Sequence, residues 1–437
     1  MLIATDARRP PDPASKAPIG ALRITILVAS VALLAISAGG MYLVVVALKP
    51  IASEFNWARA VPSFGYSLQF IGSGFGGLLM GYLLDRLGFG VPALIGGVMV
   101  STGAMLVSFI DPGAPISALI SPEYQLYVIY GIMFGLAGQG CLVAPGMANI
   151  ARFFSRRRGM AVGVVASGQS LAGIVWPPVF GAVLADHGWR NMFFYYGVFA
   201  FVTLLPLAWF VRHKPKTVVT FQRLGENDAV DAAHRAKGSA APLAPGAMQW
   251  TLCAAIVGCC VAMALPLAHL VALVTDLGFS IIHGAQALAI LLVAAFVSRV
   301  ALVGLLADTI GGLSALFAFS LIQAATLALF IAADALWSVY LVAVLFGVGY
   351  GGIFPVYTVI VREHIPIDQV GRRNGMVFLF GAAAMGLGSW MGGYLFDLTG
   401  SYTAPFLIGV AFNLANLAIV GFLIGRTGGI GRPRYIP

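Results

Sequence analysis

One arginine lies in the middle of a long apolar stretch, where a charge is unexpected. Arg299 is the only charged residue within 284–306. At the centre of a bilayer a guanidinium costs about 2.5–3.5 kcal/mol on insertion scales, and it stays charged. Because no acidic residue occupies the centre of any apolar stretch, this cation predicts a site for an anion. Its planar fork suits a carboxylate. The alternative is a packing arginine that bonds backbone carbonyls or extends to one side.

Two titratable side chains precede Arg299 on the neighbouring apolar stretch. Asp276 lies near the end of that stretch and is a candidate proton-coupling carboxylate whose charge depends on an ion pair with Arg299 or the substrate. The alternative for Asp276 is a solvated cap at the helix end. His269 lies two turns deeper on the same helix face, and an imidazole suits proton transfer or carboxylate contact. The alternative for His269 is a hydrogen-bonded packing residue.

Other polar side chains in apolar stretches are weaker candidates for a substrate site than Arg299, Asp276 and His269. They are Tyr42, Gln139, Cys141, Tyr350 and Tyr357. For each of these, helix packing or an interhelical hydrogen bond is the more common role. Lys49 is a candidate entrance residue that attracts anions, and the alternative is a lysine that extends to the membrane interface.

The composition places these residues in a membrane protein. Of 437 residues, 60% are hydrophobic and 9% are charged, whereas an ordinary soluble domain has about 25% charged residues. A membrane span needs about 20 mostly apolar residues. Twelve spans are predicted, at 22–48, 61–84, 91–110, 124–151, 160–184, 190–211, 248–274, 284–306, 313–333, 336–361, 374–396 and 403–425. The four cysteines all lie in apolar stretches, which indicates neither disulfides nor a metal site.

A single long polar segment divides the spans six and six. This segment, 212–247, is predicted to be a cytoplasmic linker between an N-terminal six-helix bundle (22–211) and a C-terminal one (248–425). Cytoplasmic tails are predicted at 1–21 and 426–437. The predicted fold is therefore an all-α membrane protein with twelve transmembrane helices in two bundles.

The distribution of Lys and Arg predicts the orientation. With a cytoplasmic N-terminus, 21 of the 25 Lys and Arg residues fall on the inside, and Arg299 is within a span. Only Lys49, Arg59 and Arg190 fall outside. The positive-inside rule therefore places both termini in the cytoplasm.

A repeated motif follows the second span of each half. Gly81-Tyr-Leu-Leu-Asp85-Arg86-Leu-Gly88 is echoed by Gly304-Leu-Leu-Ala-Asp308, which lacks the arginine. The first copy resembles the commonest signature of the major facilitator superfamily, whose members are secondary transporters. That resemblance implies a cytoplasmic charge relay, and it assigns conformational gating to Gly81, Asp85, Arg86, Gly88 and Asp308.

A narrower resemblance rests on five features in order along the chain. The segments 54–59, 153–161, 269–278 and 395–402, together with Arg299, resemble the monocarboxylate transporter group and its bacterial relatives, which are similar to oxalate/formate antiporters. In that family the arginine of the eighth span is held to bind the carboxylate of the substrate. The resemblance therefore implies the same role for Arg299.

The sequence departs from the family at two positions that bear on the substrate. Animal members carry an Asp one turn before the arginine, where this chain has Ala295, whereas bacterial relatives have an acid that matches Asp276. Dicarboxylate exchangers add a Lys in the eleventh span, and the matching stretch 380–385 has no cation. One positive charge suits one carboxylate, so a monocarboxylate is predicted.

These features predict a secondary transporter of a small organic monocarboxylate that is coupled to protons. The alternative is an antiporter or exporter for another organic anion or small solute, such as a dicarboxylate or a drug. We expect no enzymatic activity and no cofactor, with the proton as coupling ion. The expected partners are the lipid bilayer and a small anion, without nucleic acid. The expected setting is a monomer in the bacterial inner membrane.

Overall fold

A computed structural model describes residues 17–153, 158–212, 244–365 and 369–427, and these residues form helices and short connections. Twelve membrane helices follow one another: α1 (Ala17–Ser37, continued by Gly39–Val46), α2 (Ala60–Leu87), α3 (Gly90–Ser108), α4 (Pro122–Val128, Ile129–Gln139 and Gly140–Phe153), α5 and α6 (158–187 and 189–211), α7 (Pro245–Asp276), α8 (Ile281–Ile310), α9 (Gly312–Leu329), α10 (Leu336–His364), α11 (Val370–Thr399) and α12 (Thr403–Thr427).

The predicted set of twelve spans is confirmed. Within the described residues, ten continuous helices are long and apolar enough to cross a membrane. One of them, Val162–Val211, contains both α5 and α6, which are separated by a break at Gly188 (φ 78°, ψ 167°). Counting these two separately and adding α2 gives twelve helices. Glycine occupies the break because a side chain there would strain the left-handed backbone.

Helices within each half pack closely at positions that are occupied by glycine. A Cβ on Gly76 of α2 would lie 2.1 Å from the Leu136 carbonyl oxygen of α4. A Cβ on Gly351 of α10 would lie 2.2 Å from the Ala295 carbonyl oxygen of α8. Both contacts are too short for any other residue, so these glycines let two backbones touch. The α8–α10 contact fixes the segment that carries Arg299.

Helices α1–α6 pack against one another, as do α7–α12, and the two sets meet along two antiparallel pairs. In the first pair, Ser67 of α2 donates to the Gly386 carbonyl of α11 at 2.6 Å. In the second pair, α5 and α8, a Cβ on Gly181 would lie 2.8 Å from Ala285 Cβ. We call the membrane face where α1 ends and α2 begins the distal face. The proximal face is where the chain enters α1 and leaves α12.

Helix α4 departs from α-helical geometry over Ile129–Gln139, which form a π-helix. At its end the Gln139 amide donates to the Ser37 carbonyl at 2.7 Å, where α1 is interrupted before Gly39. Two irregular segments are thus joined by one side chain.

Part of the predicted domain plan lies outside the described residues. These are residues 1–16, 213–243 and 428–437, which cover most of the two predicted tails and of the linker. The bounds of the two bundles stay predictions.

Candidate functional site

Arg299 lies where the two helix sets meet, and its hydrogen bonds reach both sets. Its Nε donates to the Gly351 carbonyl of α10 at 3.3 Å. Its Nη1 donates to Ser170 Oγ of α5 at 3.0 Å. Both acceptors are neutral, and among the described residues no carboxylate contacts the guanidinium. The positive charge is therefore held in place without being neutralised.

Three tyrosines surround the same region. Tyr42 of α1 and Tyr66 of α2 are buried. Tyr42 is close enough to Tyr66, Tyr350 and Arg299 to interact with each of them electrostatically. The Tyr42 hydroxyl occupies the space that a side chain at Gly173 would fill, since a Cβ there would lie 2.6 Å from it. Two of these tyrosines, Tyr42 and Tyr350, were predicted site residues. Tyr66 of the second span was not among the predicted residues, although it is a tyrosine within a span like the other two.

The other polar candidates from the sequence, Gln139, Cys141 and Tyr357, lie away from the contacts of Arg299. Gln139 is buried and bonds α1, and its Oε1 has no partner among the described residues. Cys141 is fully buried in the core. Tyr357 is also fully buried, 3.7 Å from Cys259 Sγ. The contacts of the described residues do not link Cys141 or Tyr357 to Arg299.

Asp276 forms its ion pairs at the distal face, away from Arg299. Two cations of the first helix set hold its carboxylate. Arg59 binds it with both Nη atoms, at 2.5 and 2.8 Å, and Lys49 Nζ lies 2.7 Å from Oδ1. The expected pair between Asp276 and Arg299 is therefore wrong for this conformation. The reason is that the distal end of α7 lies beside Lys49, in the short helix Leu48–Glu54 that follows α1, and beside Arg59, which directly precedes α2.

Arg59 also makes contacts beyond Asp276. Its guanidinium lies over the Phe396 ring, 3.7 Å from the centroid, and Nη1 donates to the Tyr402 hydroxyl at 3.1 Å. Burial works to lower the pKa of Arg59, but the hydrogen bonds to Asp276 and Tyr402 outweigh burial and raise it above its ordinary value. Arg59 therefore remains charged at any physiological pH.

A directional hydrogen-bond chain runs from Arg59 into the second helix set. Buried His269 places Nε2 2.8 Å from the Ser389 carbonyl and Nδ1 3.3 Å from the Tyr402 hydroxyl. A carbonyl only accepts, so Nε2 carries the proton and Nδ1 of neutral His269 accepts from Tyr402. Tyr402 in turn accepts from Arg59. When the imidazole is neutral, each group in this series of hydrogen bonds has a partner. This arrangement agrees with the alternative role of His269 as a hydrogen-bonded packing residue.

Asp397 adds a second contact between the two helix sets at this face. Its Oδ1 accepts from the backbone N–H of Arg59 at 2.9 Å, and its Oδ2 accepts from that of Ala60 at 2.8 Å. These are the amides at the start of α2. We call the group formed by Lys49 and Arg59 on one side, and by Asp276, Asp397 and Tyr402 on the other, the distal clasp.

The distal clasp includes two of the three cations that the positive-inside count placed outside. The third, Arg190, pairs with Glu54, and Trp189 Nε1 donates to the same carboxylate at 2.5 Å. All three cations that the count placed outside therefore have a carboxylate partner. This exception to the charge rule is the sequence signal that could have identified Arg59.

The predicted gating motif lies at the proximal end of α2. Helix α2 ends at Leu87, and Gly88 takes φ 79°, which favours glycine. Arg86 is exposed and has interaction partners. The surroundings of Gly81 and the side chains of Asp85 and Asp308 lie outside the described part of the chain, so the gating roles stay predictions.

Among the described residues, two glycine positions near the proximal face have no close neighbour. The distal clasp joins the two helix sets at the other face. Near the proximal ends of α5 and α11, a Cβ on Gly163 or Gly375 would meet no atom of another described segment within 4 Å.

Known proteins resemble this chain, some along most of its length and others over part of it. The family model that matches is described as Major Facilitator Superfamily and covers residues 29–336 and 250–431. Monocarboxylate transporter 13 of Rattus norvegicus is 27% identical over 380 residues, which is 86% of this chain and 81% of that protein. The oxalate:formate antiporter of Oxalobacter formigenes is 26% identical over 189 residues, 43% of this chain and 42% of the antiporter. A solved D-xylose–proton symporter shares the fold with TM-score 0.68 at 17% identity, covering 92% of this chain and 97% of that one.

Proposed function

The chain belongs to the Major Facilitator Superfamily, as its motifs predict, and from this premise we propose that it is a secondary transporter of a small organic monocarboxylate. Members of this family are in general transporters rather than enzymes, and we propose the same for this chain. The predicted resemblance to monocarboxylate transporters and to the oxalate:formate antiporter is confirmed. The substrate of this chain is the proposal.

The observation that carries the proposal is the uncompensated charge of Arg299. A half-buried cation held by a serine hydroxyl and a backbone carbonyl keeps its attraction for an anion. Two parallel hydrogen bonds from a guanidinium match a carboxylate. A second cation would favour a dicarboxylate, and residues 380–385 provide none.

Replacing Arg299 tests the proposal. Arg299→Ala should weaken binding of the strongest-binding member of a panel of acetate, lactate and benzoate by at least about tenfold, since ~1.4 kcal/mol corresponds to one decade. Arg299→Lys keeps the charge without the fork, so we expect partial binding and poor transport. Isothermal titration of purified protein measures the affinities.

The matched control is Arg212→Ala. This change removes an arginine at the proximal end of α6, where its guanidinium lies over Trp209, and it should leave the affinity unchanged. A folded Arg299→Ala protein that binds and carries its carboxylate like the wild type would contradict the proposal.

The proposed orientation puts the distal face outside the cell and both termini in the cytoplasm. The 21-to-3 distribution of Lys and Arg supports this orientation. With the distal clasp formed, the described conformation is then closed to the outside. Alternating access would require the clasp to open so that an external anion can reach Arg299.

Asp276 is the proposed proton-coupling group, and His269 is the alternative. In the distal clasp two cations favour the ionised carboxylate of Asp276. Separation of the two helix sets would remove both cations, after which proton uptake becomes easier. Function as a monomer in a bacterial inner membrane completes the proposal.

A further inference from the structure

Buried serines in this protein usually bond their own helix. Ser30, Ser101 and Ser389 each donate to the carbonyl four residues earlier, at 2.7–2.8 Å. This arrangement uses the hydroxyl proton and fixes the side chain. Ser170 of α5 is also buried, with 7% of its surface exposed, but it bonds differently.

Ser170 accepts a hydrogen bond from Arg299 Nη1 across the boundary between the two helix sets. Among the described residues no acceptor receives its hydroxyl proton. A serine hydroxyl has one donor and two acceptor positions, so Ser170 keeps a donor available while it accepts from Arg299. A buried donor without a partner is costly unless a ligand satisfies it.

We propose that Ser170 is part of the carboxylate site, where it donates its hydroxyl proton to the bound carboxylate and orients Arg299. This inference rests on the proposed function. A carboxylate at Arg299 would accept from the guanidinium of α8 and from the hydroxyl of α5. The substrate would thereby form hydrogen bonds with both helix sets. Through Ser170, binding of the substrate would therefore favour the conformation in which the two helix sets lie close together.

A double-mutant cycle tests this role. Ser170→Ala should weaken binding of the best ligand in the acetate, lactate and benzoate panel by at least about tenfold, the effect of one charge-assisted hydrogen bond. Ser170→Thr retains the hydroxyl and should recover most of the affinity. In an Arg299→Ala background, Ser170→Ala should cause little further loss, because the two residues act together.

The control is Ser167→Ala, one turn away, where the residue is partly exposed and its hydroxyl donates to the Val164 carbonyl. Wild-type affinity of Ser170→Ala, beside a large loss in Arg299→Ala, would overturn the role of Ser170 and leave the proposed function standing. An equal loss in both backgrounds would also overturn it, since that result indicates an independent structural effect. Unchanged binding in both single variants would overturn the proposed function as well.

A second inference rests on an independent contact, between Asp397 and the start of α2. The first amides of a helix lack partners within the helix, and a carboxylate there is stabilised by hydrogen bonds and by the helix dipole. Such caps usually come from the residue that precedes the helix. Here the carboxylate comes from α11, in the other helix set.

We infer that Asp397 is a cross-bundle cap that stabilises the conformation with a closed distal face. Opening this face separates α2 from α11, so the cap must break each time. The cap is independent of the ion pairs of Asp276, because it uses backbone amides. Removal of its negative charge should therefore favour the open conformation even with Arg59 intact.

Reaction of a buried cysteine measures how often the distal face opens. The four native cysteines are buried. Ser67→Cys adds a thiol at the α2–α11 contact, where the native side chain is 1% exposed. In this background Asp397→Asn should increase the rate of labelling by an impermeant maleimide from the distal side about fivefold, which corresponds to the loss of one carboxylate at a helix N-terminus.

Glu54→Gln is the matched control, because Glu54 pairs at the same face with Arg190 of its own helix set. It should leave the labelling rate unchanged. An unchanged rate in Asp397→Asn, or an equal increase in Glu54→Gln, would overturn the cap. The test needs no substrate, so its result is separate from that for Ser170.

Discussion

At the residue scale, the position of each polar group decides what it can do. Arg299 and Arg59 are the same residue type with opposite surroundings. Arg299 has two neutral acceptors, whereas Arg59 binds a carboxylate with both Nη atoms and lies over an aromatic ring. The first arginine keeps a charge available for a ligand. The second uses its charge to hold two helix sets together.

The hydroxyl of Tyr402 joins Arg59 to His269, so its removal should destabilise the protein. In Tyr402→Phe, Nδ1 of buried His269 loses its donor, and an unsatisfied buried acceptor costs about 1–3 kcal/mol. We expect a lower midpoint of thermal unfolding in detergent. Tyr394→Phe is the control, since Tyr394 is 44% exposed and stacks on Trp390. Equal midpoints for the two variants would show that the chain of hydrogen bonds contributes nothing.

At the element scale, the sequence predicts helices better than contacts. Long apolar stretches specify the spans because each helix must satisfy its backbone hydrogen bonds internally. The same reasoning identified Arg299, since a cation among 284–306 breaks the apolar pattern. The π-helix at Ile129–Gln139 was not predicted, because its residues are as apolar as those of a regular span.

The distal clasp was not predictable from local pattern. Arg59 and Asp276 are 217 residues apart, and Arg59 and Asp397 are 338 apart. Neither pair has a spacing rule, because the partners lie on different helix sets. Asp276 was identified as a candidate proton-coupling acid, but its predicted partner was Arg299 or the substrate. Only the tertiary structure, which brings the distal end of α7 to Arg59, distinguishes Arg59 from Arg299 as the partner of Asp276.

At the scale of the whole molecule, contacts between the helix sets are unevenly distributed. Ser170 and Arg299 meet within the interior, while Lys49, Arg59 and Asp276 meet at the distal face. A conformational change that separates the helix sets at the distal face must therefore alter the charge environment of Asp276. The proposed binding site and the proposed coupling group thus respond to the same movement.

Coupling through this movement predicts a specific loss in Asp276→Asn. While the clasp is formed, Lys49 and Arg59 favour the ionised carboxylate, so a proton taken up in the open conformation is released as the clasp closes. Asparagine cannot carry that proton. In proteoliposomes, uphill accumulation of the carboxylate driven by an imposed pH gradient should be abolished. Exchange of labelled for unlabelled substrate should continue, because it needs no net proton movement.

Asp111→Asn provides the control for the loss of an acid at the distal face, since Asp111 is exposed and bonds the nearby Gly113 amide. It should leave pH-driven accumulation intact. Full accumulation by Asp276→Asn would move the coupling to His269 or to the substrate itself. Loss of both accumulation and exchange would instead make Asp276 a purely structural member of the distal clasp. If Asp276→Asn retains exchange but loses accumulation, Asp276 acts in proton coupling and not only in closing the distal clasp. The reason is that only proton coupling requires a side chain that can be protonated.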